Sequence, residues 1–320
     1  MVRFNPKARL DRSRVRDTRS GGGGFPGGGG GMRLPIPGGL GARGGIGGVI
    51  LLIALFVLSQ CLNLDLLGGG SPYSASRLSD AEDSGRYDHC ETGEDANEDH
   101  DCARVAVENS LTDYWESELG GKFRPIETLT TFSGQVSTAC GNADSSVGPF
   151  YCPGDDSIYL DTTFFDQVLE DELGGPDGGF VEFYVLAHEY GHHISNLLGF
   201  MTEASRSRDT GPTSLGVRLE LQADCYAGMW AHHATSTEDE SGEVLIEDLS
   251  DEDIDLAIEG AEAVGDDRIQ RKTQGQVNPE TWTHGSSGQR KHWFLVGYES
   301  GDLGACDTFD ASEDEVLTEE

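Results

Sequence analysis

Four patterns of apolar and polar positions divide this chain of 320 residues. Residues 20–48 alternate glycine runs with little else (GGGGFPGGGGG, then PGGLGARGGIGG), a composition that cannot pack a core and reads as linker. A largely apolar run follows, VILLIALFVLSQCLNLDLL at 49–67, fully or nearly apolar over Val49–Ser59, with Asp65 marking its far end. With Ile46 it approaches the roughly 20 residues that a bilayer helix needs. Residues 68–100 are polar and acidic and read as a stalk. Beyond residue 101 the pattern becomes that of a folded domain.

Within that domain the spacing predicts mostly helices. ARVAVENSLTDYWESEL, 103–119, carries Val105, Leu111, Trp115 and Leu119 at helical intervals. Stronger periodicities cover 180–198 and 214–234. Gly199 suits the C-cap of the first. Ser250 with Asp253, and Ser286 with Gln289, have capping-box spacing and open helices over about 251–264 and 287–299. Residues 124–138 and SIYLD at 157–161 read as short strands. The ending FDASEDEVLTEE is acidic and is expected to be unstructured.

Charge sharpens this organisation. Residues 1–43 hold nine Arg and Lys (Arg3, Lys7, Arg9, Arg12, Arg14, Arg16, Arg19, Arg33, Arg43) against Asp11 and Asp17, whereas the whole chain is −35. The positive-inside rule then predicts residues 1–45 as a cytoplasmic basic Gly-rich segment, 46–67 as a transmembrane helix, and the rest as extracytoplasmic. This gives a single-pass protein of the cell membrane. Leu58-Ser59-Gln60-Cys61 faintly resembles a lipoprotein cleavage box, but Gln60 fits poorly. The acid excess is read as a solubility device. It excludes nucleic acid as a partner, since phosphate would be repelled.

The cysteines agree with an oxidising exterior. Apart from Cys61 there are six, Cys90, Cys102, Cys140, Cys152, Cys225 and Cys306, which allow 15 pairings. Short-loop closure favours Cys90–Cys102 and Cys140–Cys152, leaving Cys225–Cys306. No C-x-x-C pair supports a cysteine-rich metal site.

The chemistry concentrates in LAHEYGHHIS, 186–195, which holds a third of the nine histidines. His188-Glu189-Tyr190-Gly191-His192 is H-E-x-x-H. On a helix, positions i and i+4 share a face, so two imidazoles can reach one tetrahedral zinc while Glu189 flanks it as a general base. A catalytic zinc needs a third protein ligand and leaves the fourth place to water. The helix TSLGVRLELQADCYAGMWAHH, 213–233, offers Glu220 and Asp224, again i and i+4. Acidic groups in so apolar a helix are costly unless they ligate or pair. Glu220 is therefore assigned as third ligand, and Asp224 as acceptor for the free ring N–H of a ligand histidine, His188 first. Ala223, Ala227, Gly228 and Ala231 are small and allow a second helix to approach closely. His193 points off the metal face, and Cys225 reads as a half-cystine. For an oxyanion donor the candidates are Tyr190, His284 and Arg290, with His284 preferred. A ligand set of two His and one carboxylate also serves iron oxygenases, but this spacing favours zinc.

HEYGHHISNLLG, RLELQADCYAGMWA and THGSSGQRKHWFLVGYESGD with Cys306-Asp307-Thr308-Phe309 resemble the bacterial neutral zinc metallopeptidase family, as does GNADSSVGPFYCPGDDSIYLD at 141–161. The resemblance is close over 101–310 and looser over 1–60. It implies an α+β, mainly helical, zincin-like metallopeptidase domain at 101–310, with residues 311–320 as an acidic tail. It further implies one Zn²⁺, a peptide or protein substrate, and strand Ser157–Asp161 as an edge that pairs substrate backbone. A catalytically silent zinc-binding envelope protein and an amidase acting on cell-wall peptide use the same residues. Substrate, mode of cleavage and oligomeric state are not written in the sequence.

Overall fold

A computed structural model of the chain describes residues 2–19, 83–144, 147–171, 173–176 and 179–319. The expected membrane span at 46–67 lies outside the described residues. Among those described, no helix is long and apolar enough to cross a membrane. The fold is mixed α/β and about half helical.

A four-stranded sheet forms one layer, in the order β2-β3-β7-β6. Its strands are β2 (Val15–Asp17), β3 (Leu129–Phe132), β6 (Phe150–Cys152) and β7 (Ser157–Asp161). The first three in spatial order are parallel, and β6 closes the edge antiparallel to β7. The expected edge strand Ser157–Asp161 is thus interior. It is buried at all five positions, and β6 and β2 are the sheet's border strands. Strand β1 (Arg3–Phe4) pairs with β8 (Ile246–Asp248). Between sheet strands, β4 (Gln135–Thr138) and β5 (Gly141–Asp144) form a hairpin. The hairpin has its own small core of Val136, Ala143, Val147, Phe150 and Tyr159.

The helical layer has α1 (Gly93–Glu98), α2 (His100–Leu119), α3 (Gly179–Leu198), α4 (Phe200–Ala204), α5 (Leu215–His233), α6 (Asp251–Ala263), α7 (Asp266–Gln274), α8 (Ser287–Ser300) and α9 (Glu313–Val316). Caps set their limits. Ser250 and Asp253 form a reciprocal capping box on α6, as do Ser286 and Gln289 on α8. Gly199, at φ 93°, turns the chain sharply after α3.

Helix α5 lies between α3 and α8, and small residues set the spacing. A Cβ on Gly228 would sit 2.1 Å from the Phe294 carbonyl, and one on Gly191 2.9 Å from Ala223 Cα. The backbones of α5 and α8, and of α3 and α5, therefore approach more closely than any larger residue would allow. The disulfides are Cys90–Cys102, Cys140–Cys152 and Cys225–Cys306.

Three boundaries differ from the sequence reading. Residues 2–19, expected to stand apart with the basic segment, pack into the body: Phe4, Ala8 and Val15 are buried in the main core. The expected stalk yields to ordered chain from residue 83, because Cys90 ties it to Cys102 and α1 carries a capping box on Thr92. The acidic ending is also held. Val316 is buried, and Glu319 accepts from Ser286 Oγ at 2.5 Å.

Candidate metal centre

Helix α3 exists because Phe180, Phe183, Tyr184, Ala187 and Ile194 face the core, and its middle carries the polar cluster inward. Ser214 caps α5 by accepting from Val217 N, and this helix brings Glu220 and Asp224 alongside. His188, His192 and Glu220 each turn one donor atom to a common point, with all three atoms within 4.8 Å of one another. His188 Nε2 is 3.4 Å from Glu220 Oε2, and His192 Nε2 is 3.6 Å from Glu220 Oε1. Zinc bonds of about 2.0–2.2 Å at tetrahedral angles put neighbouring donors about 3.3–3.5 Å apart, so these residues fit the ion. Among the described residues the group has these three members and no fourth. His89, Cys90 and Cys102 also converge, but both sulfurs are consumed in a disulfide.

Around these donors lies a buried network. Asp224, fully buried, accepts from Tyr184 Oη at 2.5 Å, from Arg290 Nε and Nη2 at 2.8 Å each, and pairs with His188 Nδ1 at 2.8 Å. That last contact fixes which ring nitrogen of His188 is left for a metal. Burial opposes the charge on Asp224, but Arg290 and His188 outweigh it and hold its pKa at about 2. Burial likewise works against ionised Glu220, yet His192 and His188 keep it well below the usual range. His192 Nδ1 is buried without a hydrogen-bond partner.

Glu189 sits beside the histidines with Oε2 accepting from Tyr151 N of edge strand β6 at 2.8 Å. Burial raises its pKa, against the two histidines and that N–H, which lower it. The general-base candidate is thereby tied to a strand at the border of the sheet.

His284 stands on the loop before α8. Asp266 Oδ2, at the start of α7, collects the backbone N–H groups of Thr283, His284 and Gly285 at 2.7, 2.6 and 3.1 Å. His284 Nδ1 lies 3.0 Å from Thr283 Oγ1 and 3.4 Å from Asp266 Oδ1. Burial disfavours the imidazolium, but Asp266 and the charge of Glu220 raise its pKa above the ordinary value. The other two oxyanion candidates are spent elsewhere. Tyr190 Oη meets Thr112 Oγ1 at 3.0 Å, and Arg290 clamps Asp224. His193 is buried, its Nε2 donating to Arg124 O at 2.7 Å and its Nδ1 3.1 Å from Tyr151 Oη.

Sequence reasoning did not reach Asp266, Tyr184 or the Tyr151 N–H. Asp266 follows the N-cap Gly265 in the first turn of α7, where acidic residues suit the helix dipole. Tyr184 lies one turn before His188 on the same face. A backbone N–H has no signature in sequence.

Two histidines from an H-E-x-x-H helix and a glutamate from a second helix define the class of mononuclear metal sites with a gluzincin-like donor set. The chain belongs to the family described as "Putative neutral zinc metallopeptidase", which it matches over residues 5–309. It is similar to the protein Rv2575 of Mycobacterium tuberculosis (strain ATCC 25618 / H37Rv), 54% identical over 225 residues, covering 70% of this chain and 75% of that one. It is also similar to YpfJ of Escherichia coli (strain K12), 36% identical over 315 residues, 96% of this chain and 99% of that one. Both relatives carry names that assign no activity. No solved structure matches.

Proposed function

We propose that the protein is a zinc peptidase in which His188, His192 and Glu220 hold one Zn²⁺ and Glu189 is the general base. The observation that carries this is the three-membered donor set with a glutamate beside it and no fourth ligand among the described residues. A structural zinc site is closed by four protein ligands, whereas a catalytic one keeps a place for water. When bound, the ion would lower the pKa of a water towards 7 and polarise a carbonyl.

The chain's own residues supply the rest. Glu189 takes a proton from water and passes it to the departing amine nitrogen. Its raised pKa suits both halves of that transfer. His284, biased towards the imidazolium and steadied by Asp266, donates to the oxygen on which charge develops. Strand β6 borders the sheet beside Glu189 and is where an extended peptide would lie, its Tyr151 N–H already held by Glu189. Asp224 keeps His188 in one tautomer, and Arg290 keeps Asp224 charged.

The test is Glu189→Gln, assayed on an unfolded protein substrate alongside metal content. The variant keeps one zinc per chain and loses hydrolysis by about 10³-fold or more, the scale expected of a lost general base with its charge. Full activity in a zinc-loaded Gln variant refutes the proposal.

A further inference from the structure

Arg19 and Asp83 are the described residues on either side of positions 20–82, and the two flanks touch. Ser84 N donates to Asp17 O at 2.8 Å, and Ser84 Oγ to Asp17 Oδ2 at 2.6 Å. Asp17 N donates to Asp83 Oδ1 at 3.3 Å. In the N-terminal flank, Val15, Arg16 and Asp17 lie in register beside Leu129, Thr130 and Thr131, and Arg3–Phe4 pairs with Ile246–Asp248. Arg14 Nε donates to Glu108, a carboxylate with no exposure at all, at 2.9 Å. Arg19 pairs with Asp17 and Asp101. Asn109 Nδ2 donates to Asp11 O at 2.8 Å, and Asn109 Oδ1 accepts from Asp11 N at 2.7 Å. The N-terminal residues thus form an integral strand of the body that bears the metal centre.

A single membrane crossing between residues 19 and 83 would separate these partners by about 30 Å of hydrocarbon. Returning to the starting face takes an even number of crossings. Two helical spans need about 40 apolar residues, and the intervening sequence has one run, 46–67. We infer that residues 2–19 and 83–319 occupy the same face of the membrane.

The three disulfides place that face outside the cytoplasm. The basic charge that suggested a cytoplasmic N-terminus has another use. Arg3, Arg14 and Arg19 are in ion pairs with Glu247, Glu108 and Asp101 of the acidic body. The family match also begins at residue 5, inside this segment.

Lys7 and Glu299 are exposed, far from the metal donors in sequence, and supply the test. In the full-length chain with Cys61→Ser, Lys7→Cys and Glu299→Cys are made separately. Each is treated in spheroplasts with a membrane-impermeant maleimide, before and after lysis. The expected labelling ratio, intact over lysed, is near 1 at both positions. If one position labels in intact spheroplasts and the other only after lysis, the chain crosses once and the inference falls. Protection of both positions overturns the assignment of the outer face. Hydrolysis and zinc content do not enter this readout, so it stands or falls apart from the peptidase proposal.

Discussion

Asp224 is where stability and metal binding are joined, and removing it separates two costs. Asp224→Ala deletes the acceptor of four hydrogen bonds and leaves the Arg290 guanidinium buried without a counter-charge. Breaking a buried pair from one side costs about 3–5 kcal/mol, most of it the penalty on the stranded charge. Losing the acceptor on His188 Nδ1 weakens zinc binding by about 10–100-fold, or about 1.4–2.7 kcal/mol. The two effects are measured apart. Urea unfolding of the chelated protein gives the first, and competition against a chromophoric chelator gives the second. Replacing both partners, with Asp224→Leu and Arg290→Met, removes the stranded charge and recovers most of the unfolding free energy. It does not recover the zinc affinity. The reasoning is refuted if Asp224→Ala costs under about 1 kcal/mol with Arg290 intact, or if the double variant binds zinc as the parent does.

Other perturbations have definite outcomes. Gly228→Ala drives a Cβ to 2.1 Å from the Phe294 carbonyl, so helix α8 must shift; a loss of about 3 kcal/mol in urea unfolding is expected, against under 1 if α5 and α8 are loosely packed. Arg14→Leu leaves Glu108 buried without its cation, though still accepting from Asn109 Nδ2 and Thr112 Oγ1; because Arg14 is itself 22% exposed, the loss is about 1–3 kcal/mol, and an unchanged urea midpoint would mean the N-terminal strand is not docked. Burial alone would raise the Glu182 pKa, but His100 and Arg104 lower it below its ordinary 4.5. Its contribution to stability is therefore complete above about pH 4.5 and is lost as pH falls through the lowered native value. Glu182→Gln flattens the stability profile across that acid window, and an unchanged slope would contradict the pairing. Chelating zinc lowers the melting temperature by about 10 °C where the free metal is about 1,000 times its dissociation constant, while a shift under about 2 °C would mean the site is not loaded.

Much of the centre was legible because its constraints are local. H-E-x-x-H and E-x-x-x-D each place two side chains on one helical face, and helices α3 and α5 run where the apolar spacing puts them. Two cysteine pairs follow the short-loop preference, and the third is the pair they leave. What escaped was set by tertiary partners. Strands β1 and β2 are two and three residues long and rich in arginine, so no alternation could announce them. Arg3 in β1 and Arg14 and Arg19 flanking β2 read as topological charge until Glu247, Glu108 and Asp101 appear beside them. Asp266 acts on His284 from another helix, and Glu189 is held by a peptide N–H of β6. The acidic ending reads as solvated, yet Gln289 Nε2 donates to Val316 O at 2.7 Å and fixes it to the start of α8.

The central claim is that two imidazoles and one carboxylate hold zinc and leave a place for solvent. X-ray absorption at the zinc edge of the purified full-length protein tests it most directly. The account predicts one zinc with four nitrogen or oxygen neighbours at about 2.0–2.2 Å, and a signal from two imidazoles that falls to one in His192→Ala. A sulfur neighbour, or an unchanged imidazole signal in that variant, would contradict it.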